Sequence, residues 1–530
     1  MIDPRRPHDD DLDVLVTGGR LRGIAGPGLL AWRGIPYAAP PVAGLRFAAP
    51  APVVPWLGIR DAAAFGAIAP QPFASRLVRS PSILAAAAED CLTVNVHAPS
   101  TWSPGSAPLP VMVFIHGGGY SSGSSRDFSG QGEGFVRSGR VVYVSFNYRL
   151  GALGYLDFSR YSTVDRRLVS NLGLRDQVAL LSWVRDNIAG FGGDPDKVTV
   201  FGESAGGNAV TTLLATPTAA GLFARAIAQS PPPNAVYPPA LTARWAEEFV
   251  EILRGVVATR EERDSSGGAR GNLRPAPQQL LSDAEATDLV AACTTLQVRT
   301  PDAYPGAFCL APVVDGEFLP RHPMRALRDG RALRVPLIIG TNDREGSIFR
   351  GRVDILPRTP SRIDALFERA PAPAREGMRR VYAGLPARRA AADFGGDYGF
   401  WYPSTRVADF HSRYAAVWAY RFDFATRLLK VLGLDATHGV EMFALFDTTD
   451  VPLARIMTAL GGLEAYEEVG RHMREPWLRF AEGALPAEPW PTYEERGRRT
   501  LVIDEVDRIE QDPRRERRRA WNRFLPALAG

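Results

Sequence analysis

Cysteine and lysine are both scarce in this chain of 530 residues. Its three cysteines, Cys91, Cys293 and Cys309, cannot all pair, and no Cys-x-x-Cys motif or Cys/His cluster suggests a metal site. Cys293 and Cys309 could bridge in principle, but free thiols are expected of an intracellular chain. The lysines are Lys197 and Lys430, so nearly all positive charge is arginine. With the abundant Ala, Gly and Pro this reflects coding in a GC-rich genome and carries no mechanism. No apolar run approaches the roughly 20 residues that span a bilayer, and the start, Met1-Ile2-Asp3-Pro4-Arg5-Arg6-Pro7, lacks the apolar segment of a signal peptide. A cytoplasmic protein with no membrane partner is expected. The net charge of +4 is small for the length and its arginines are interleaved with acids, so no nucleic-acid partner is expected either. The densest basic run, 514–519, reads as the solvated face of a last helix.

The composition is that of a globular chain, 45% hydrophobic and 23% charged, long enough for one large α/β domain with insertions or two packed subregions. Short strands and turns open it, at 14–16, at Thr17-Gly18-Gly19 and at 34–41. Continuous apolar runs at 111–115, 141–146 and 198–201 suit strands covered on both faces. Between the last two, 174–191 places Val178, Leu181, Val184 and Ile188 at helical spacing, and Gly192-Gly193-Asp194-Pro195 ends that helix. Further strands are expected at 335–340 and 417–422. Strand, helix, strand in repetition predicts the α/β class, with a large, mostly parallel sheet and helices on both faces. The polar, Gly/Pro-rich stretch 259–279 reads as a mobile surface loop, and 361–392 as part of a helical insertion over the sheet.

Phe201-Gly202-Glu203-Ser204-Ala205-Gly206-Gly207 carries the chemistry. A Gly-x-Ser-x-Gly pentapeptide directly after a β-branched and aromatic run is a nucleophile elbow, a sharp turn that holds a serine hydroxyl out of the backbone beside a base. The pentapeptide is a weak signal alone. An acyl-transfer serine also needs donors where the carbonyl oxygen becomes negative, and His116-Gly117-Gly118-Gly119-Tyr120, after the 111–115 strand, supplies consecutive backbone N–H groups. The base must be a histidine, and downstream of Ser204 stand His322, His411, His438 and His472. His322 breaks the chain order serine, acid, histidine; His411 and His472 sit in helical contexts as surface or packing residues. His438, in a Gly-flanked loop after the 417–422 strand, is the best base. The acid belongs in a loop after a strand, and Gly340-Thr341-Asn342-Asp343-Arg344-Glu345-Gly346 offers both Glu345 and Asp343, which position does not separate.

From about Gly18 to Trp521 the chain resembles the type-B carboxylesterases, the α/β-hydrolases that include bacterial para-nitrobenzyl esterases, liver carboxylesterases and cholinesterases. The resemblance rests on 201–207 and on Glu89-Asp90-Cys91-Leu92-Thr93-Val94-Asn95-Val96. It is supported by Gly34-Ile35-Pro36-Tyr37-Ala38, Asn147-Tyr148-Arg149-Leu150-Gly151, the stretch 187–195 and Trp490-Pro491-Thr492-Tyr493. It implies an α/β-hydrolase fold, a single domain over 14–525 behind a disordered N-terminus at 1–13, and helical insertions over the active site. It selects Glu345, which precedes a glycine, as the acid. It matches Gly118, Gly119 and Ala205 to the oxyanion donors, and Glu203, Ser230 and Glu441 to a polar shell around the triad. The implied activity is hydrolysis of a small-molecule carboxylic ester by Ser204, Glu345 and His438, without cofactor or metal, in a protein favoured as a monomer. An amidase or carbamate hydrolase could use the same residues, and some members of the family are non-catalytic binding proteins that lack the serine. Two departures stand out. The upstream partner of Cys91 is missing at 67–71, and Pro231-Pro232-Pro233 follows Gln229-Ser230 where the family usually has glycine, near the expected acyl pocket. Tyr120, Phe400 and Trp401 could line an apolar pocket or pack in the core.

Overall fold

The computed structural model describes residues 12–72, 87–103, 105–127, 132–264, 275–349 and 354–529. Its strands are β1 Asp13–Val16, β2 Gly19–Arg22, β3 Ile24–Gly26, β4 Leu29–Pro36, β5 Ile59–Asp61, β6 Thr93–Pro99 and β7 Leu109–Ile115. They continue with β8 Val142–Phe146, β9 Gly193–Glu203, β10 Arg225–Gln229, β11 Leu337–Asn342, β12 Val417–Phe422, β13 Arg499–Ile503 and β14 Arg508–Gln511. β1, β2 and β5 form a small sheet, and an 11-stranded sheet runs β14-β13-β12-β11-β10-β9-β7-β8-β6-β4-β3. From β13 to β8 neighbours are parallel, and the pairings at both margins are antiparallel.

The central stretches of the parallel strands are apolar because helices cover them on both sides. One core packs Val111, Val113, Val198, Val200 and Leu337 with Leu174, Leu181 and Val184, and the other packs Met112, Phe114, Phe201 and Ile338 with Phe446, Trp477 and Phe480. Alternate residues of each strand thus enter opposite cores, as a period of two requires.

Several boundaries differ from the sequence reading. The crossover helix spans Leu172–Asn187 and tightens into a 3₁₀ turn at Ile188–Phe191. Gly192, at φ 83°, makes the turn alone, so β9 begins at Gly193 and Asp194-Pro195 belong to the strand, beside a register shift at Leu109/Val111. The stretch expected to be a loop at 259–279 is helical at both ends, within Pro239–Asp264 and Pro277–Asp283, and 265–274 lie outside the described residues. Of the N-terminus expected to be disordered, Leu12 is buried and Asp13 opens β1, while 1–11 lie outside the described residues. The insertion at 361–392 consists of the helices Pro360–Arg369, Ala372–Val381 and Arg388–Gly396.

The basic run 514–519 is only in part a solvated face, with Arg515, Glu516 and Arg519 exposed and the other three arginines engaged. Arg514 bonds Asp343 and Asp397, Arg517 bonds Asp397, and Arg518 forks onto Asp512. Burying a guanidinium is tolerable where a carboxylate receives it, and these pairs fasten the helix Arg515–Phe524 to the body. Cys91, Cys293 and Cys309 are free and buried, and burial pushes each thiol upward in pKa.

Candidate active site

The parallel register brings distant residues to one edge of the sheet. Ile115 pairs with Gly202, Glu203 with Gln229, and Gln229 with Gly340, so the loops leaving β7, β9, β10 and β11 emerge side by side at the carboxyl ends. Crevices at this edge are where open α/β sheets bind ligands.

Ser204 joins β9 to the helix Ala205–Leu213 at φ 58° and ψ −120°, a backbone conformation that non-glycine residues rarely adopt. The turn is closed by Ser204 N–H donating to Gln229 O and by Asn208 N–H donating to Ser204 O, both at 2.9 Å. Gly206 is obligatory because a Cβ there would meet Ile115 O at 2.0 Å. Gly118, at φ 106°, and Gly119, at φ 62°, turn the neighbouring loop. Gly118 O accepts from Ser121 N–H and Ser122 N–H, which fixes the loop's curl. Among the described residues the N–H groups of Gly118 and Gly119 donate to no backbone carbonyl. Ala205 opens a helix, so its N–H has no acceptor within that helix.

His438 lies in the turn before the helix Glu441–Leu445, with Nδ1 2.6 Å from Glu345 Oε2. An ionised carboxylate only accepts, so Nδ1 carries the proton and Nε2 is left as the basic nitrogen. Glu345 Oε1 accepts from Asn342 N–H at 2.7 Å, which occupies the second oxygen and fixes the carboxylate. Asp343, the rival acid, turns to Arg514 and Arg421 instead. Nε2 of His438 lies 3.2 Å from Glu203 Oε1, but neither atom has a hydrogen-bond partner, and Ser204 Oγ is not bonded to the ring.

Three carboxyl groups therefore surround one imidazole. Burial opposes a charge on His438, but Glu203, then Glu345 by charge and hydrogen bond, and Glu441 outweigh it and raise its pKa to about 9. Glu203 is raised by burial and by Glu345, with His438 opposing, and Glu441 is raised by burial and by Glu203. Glu441 Oε2 accepts from Asn342 Nδ2 at 2.6 Å. Ser230, at φ 44° at the end of β10, has a buried hydroxyl that bonds to none of this group. The other histidines stand apart. His322 caps the helix Pro323–Arg328 and is lowered by burial to about 4, His411 Nε2 meets Val335 O, and His472 pairs with Glu468.

Of the three aromatics, Phe400 packs against the His438 ring, tilted at 39° with centroids 4.5 Å apart. Trp401 is buried beneath the Arg514 guanidinium, and Tyr120 donates to Asn208 Oδ1 at 2.6 Å. Phe349, 5.3 Å from the imidazole, and Asn342, which links Glu345 to Glu441, were not singled out from sequence. An amide at the mouth of a strand inside the acid motif was the available signal for Asn342.

A profile of the carboxylesterase family matches residues 10–521. The chain belongs to the carboxylesterase family. The para-nitrobenzyl esterase of Bacillus subtilis (strain 168) is 36% identical over 509 residues, covering 95% of this chain and 97% of its own. The fumonisin B1 esterase of Sphingopyxis macrogoltabida is 32% identical over 497 residues, covering 90% of this chain and 84% of its own. A solved carboxylesterase of Geobacillus stearothermophilus superposes with a TM-score of 0.79 at 31% identity, over 96% of this chain and 100% of that one. This carboxylesterase is thus a carboxylic-ester hydrolase with the α/β-hydrolase fold. No helix among the described residues of the carboxylesterase is long and apolar enough to cross a membrane.

Proposed function

We propose that the carboxylesterase cleaves small-molecule esters through an acyl-enzyme, with Ser204 as nucleophile, His438 as base and Glu345 as the acid that orients it. The observation that carries this reading is the 2.6 Å contact between His438 Nδ1 and Glu345 Oε2. It makes Nε2 the nitrogen that is bare in the neutral imidazole, at the edge where the strained turn presents Ser204. Nε2 takes the Ser204 proton as Oγ attacks the ester carbonyl. The N–H groups of Gly118, Gly119 and Ala205 donate to the oxyanion, and losing one such donor costs on the order of 10²–10³ in rate. The alcohol leaves with the proton held by His438, and water repeats the cycle on the acyl-enzyme. Glu345 stabilises the imidazolium in both halves. The Ser204–His438 bond forms as substrate seats, since catalytic hydrogen bonds are often long before substrate binds.

The test is Ser204→Ala against para-nitrophenyl and para-nitrobenzyl esters, with matched amides and carbamates alongside. Loss of ester turnover with an unchanged circular dichroism spectrum, and loss of covalent labelling by a fluorophosphonate, is expected. Turnover retained by the purified variant would refute the assignment.

A further inference from the structure

The turn that carries Glu345 and the loop that carries His438 are fastened together by more than the carboxylate–imidazole contact. Arg344 stands between Asp343 and Glu345 and is buried. Its Nη1 donates to Gly433 O at 2.9 Å and to Asp435 Oδ2 at 2.7 Å, both on the loop that leads into His438. Its Nε donates to Asp393 Oδ1 at 2.8 Å on the helix Arg388–Gly396, and its backbone N–H donates to Ala436 O at 3.0 Å. On the far side of Glu345, Ser347 Oγ sits 2.6 Å from Leu434 O and 2.7 Å from Thr437 Oγ1. Asn342 Nδ2 reaches Thr437 O at 2.7 Å. The loop receiving these bonds turns through Asp435 at φ 52°, a left-handed conformation that needs support from its surroundings.

We infer that Arg344 is a positioning residue, a clamp that holds the 433–438 loop against the 342–347 turn and thereby keeps His438 in register with Glu345. The inference rests on the triad reading above. A guanidinium suits the task because its planar fork offers donors in fixed directions, so one side chain ties Asp393, Gly433 and Asp435 together. A lysine ammonium is a single point and cannot serve both sides. The anchor on Asp393 matters because the fork is then held by a helix before it meets the loop, and does not follow the loop's motion. Misplacement of a catalytic group by about 1 Å can cost about 100-fold in rate. A clamp whose arginine adjoins Glu345 and whose acceptors Asp435 and Ala436 lie three and two residues before His438 is where such slack would enter.

Arg344→Lys, Arg344→Gln and Asp435→Asn test the clamp. Arg389→Ala is the control, because Arg389 reaches the same Asp435 carboxylate from solvent at 3.3 Å. Each protein is titrated to completion with a fluorophosphonate that labels Ser204, so kcat is expressed per competent site. The expected result is a fall in kcat of about 10- to 100-fold for Arg344→Gln, a smaller fall for Arg344→Lys, and KM within about twofold of the parent. Arg389→Ala keeps the parent kcat, and Arg344→Gln with Asp435→Asn loses little more than the worse single variant. If Arg344 only supports the fold, the variants melt earlier and yield fewer titratable sites, while the surviving sites keep the parent kcat. That outcome overturns the clamp, as does a change confined to KM. Turnover retained by Ser204→Ala would instead strike the triad reading, and the clamp would fall with it.

Discussion

Glu203→Gln removes the carboxylate nearest His438 Nε2 at 3.2 Å and changes little else in shape. The active form of the base is neutral imidazole, so the acid limb of kcat/KM follows the pKa of His438 in the free enzyme. That value is raised to about 9, and Glu203 is the largest of the raising influences. Opposite unit charges at this separation attract by about 5 kcal/mol at an effective dielectric of about 20, and one pKa unit corresponds to about 1.4 kcal/mol. The ceiling is therefore about 4 units, and the cluster lowers it, because Glu441, raised by burial and then by Glu203, ionises more readily once Glu203 is gone and returns part of the negative charge. A shift of about one to two units is expected, and the limb belongs to the group as a whole. The sign is fixed. Losing a neighbouring anion destabilises imidazolium, so the limb moves to lower pH and the variant is relatively more active in acid. The assay is kcat/KM for a nitrophenyl ester across the pH range at constant ionic strength, with uncatalysed hydrolysis subtracted. Because the pair is buried, added salt should leave the shift nearly unchanged. A limb that stays in place or moves upward would refute the reasoning.

Gly206→Ala drives a Cβ into Ile115 O and should cost at least the about 1–3 kcal/mol of an overpacked core, with kcat falling more than about tenfold. Urea unfolding and ester turnover check the two effects. Phe400→Ala empties the buried space beside the His438 ring and should destabilise by about 3–5 kcal/mol, with a lower kcat per titrated site as the imidazole loses a wall. Arg149→Ala leaves the buried Asp176 carboxylate without its countercharge where a 2.6 Å ion pair stood, with the backbone N–H of residue 149 still donating to it. It should lower the unfolding free energy by about 3–5 kcal/mol, read by urea unfolding, while kcat per folded site is unchanged.

The central strands were legible because burial on both faces removes alternation and leaves continuous apolar runs. The 417–422 strand has the bounds its composition suggests, Val417–Phe422. The burial of β6 on both faces was not legible from its composition. Thr93, Asn95 and His97 alternate with apolar residues as in a half-exposed strand, yet all seven residues of Thr93–Pro99 are buried. The polar face is sheltered because Asn95 accepts from Gly34 N–H and donates to Ser145 Oγ. Alternation reports polarity, and a satisfied polar residue can be as deeply buried as a valine. The start of β9 was missed for another reason. Gly192 alone supplies the left-handed turn, so the following glycine, aspartate and proline were free to extend the strand.

At the candidate site, chain order together with loop context singled out His438 and limited the candidate acid to two residues, because strand-end loops fall on one edge of a parallel sheet. Position alone did not separate Glu345 from Asp343, and the resemblance selected Glu345. In the fold Arg514 holds the Asp343 carboxylate, while Glu345 faces the imidazole. Arg344 was not legible from position either. A charged residue in a turn reads as solvated, and the acceptors that bury it, Asp393 and Asp435, come from a helix and a loop with no pattern tying them to it. The run 514–519 misled in part in the same way, since Arg514 and Arg517 meet a carboxylate more than a hundred residues upstream. Arginine in this chain is therefore as much a fastening for loops as a surface charge. Long-range ion pairs leave no periodicity to read, so the elements that set the active-site geometry most tightly are those whose role emerges only when the chain is folded.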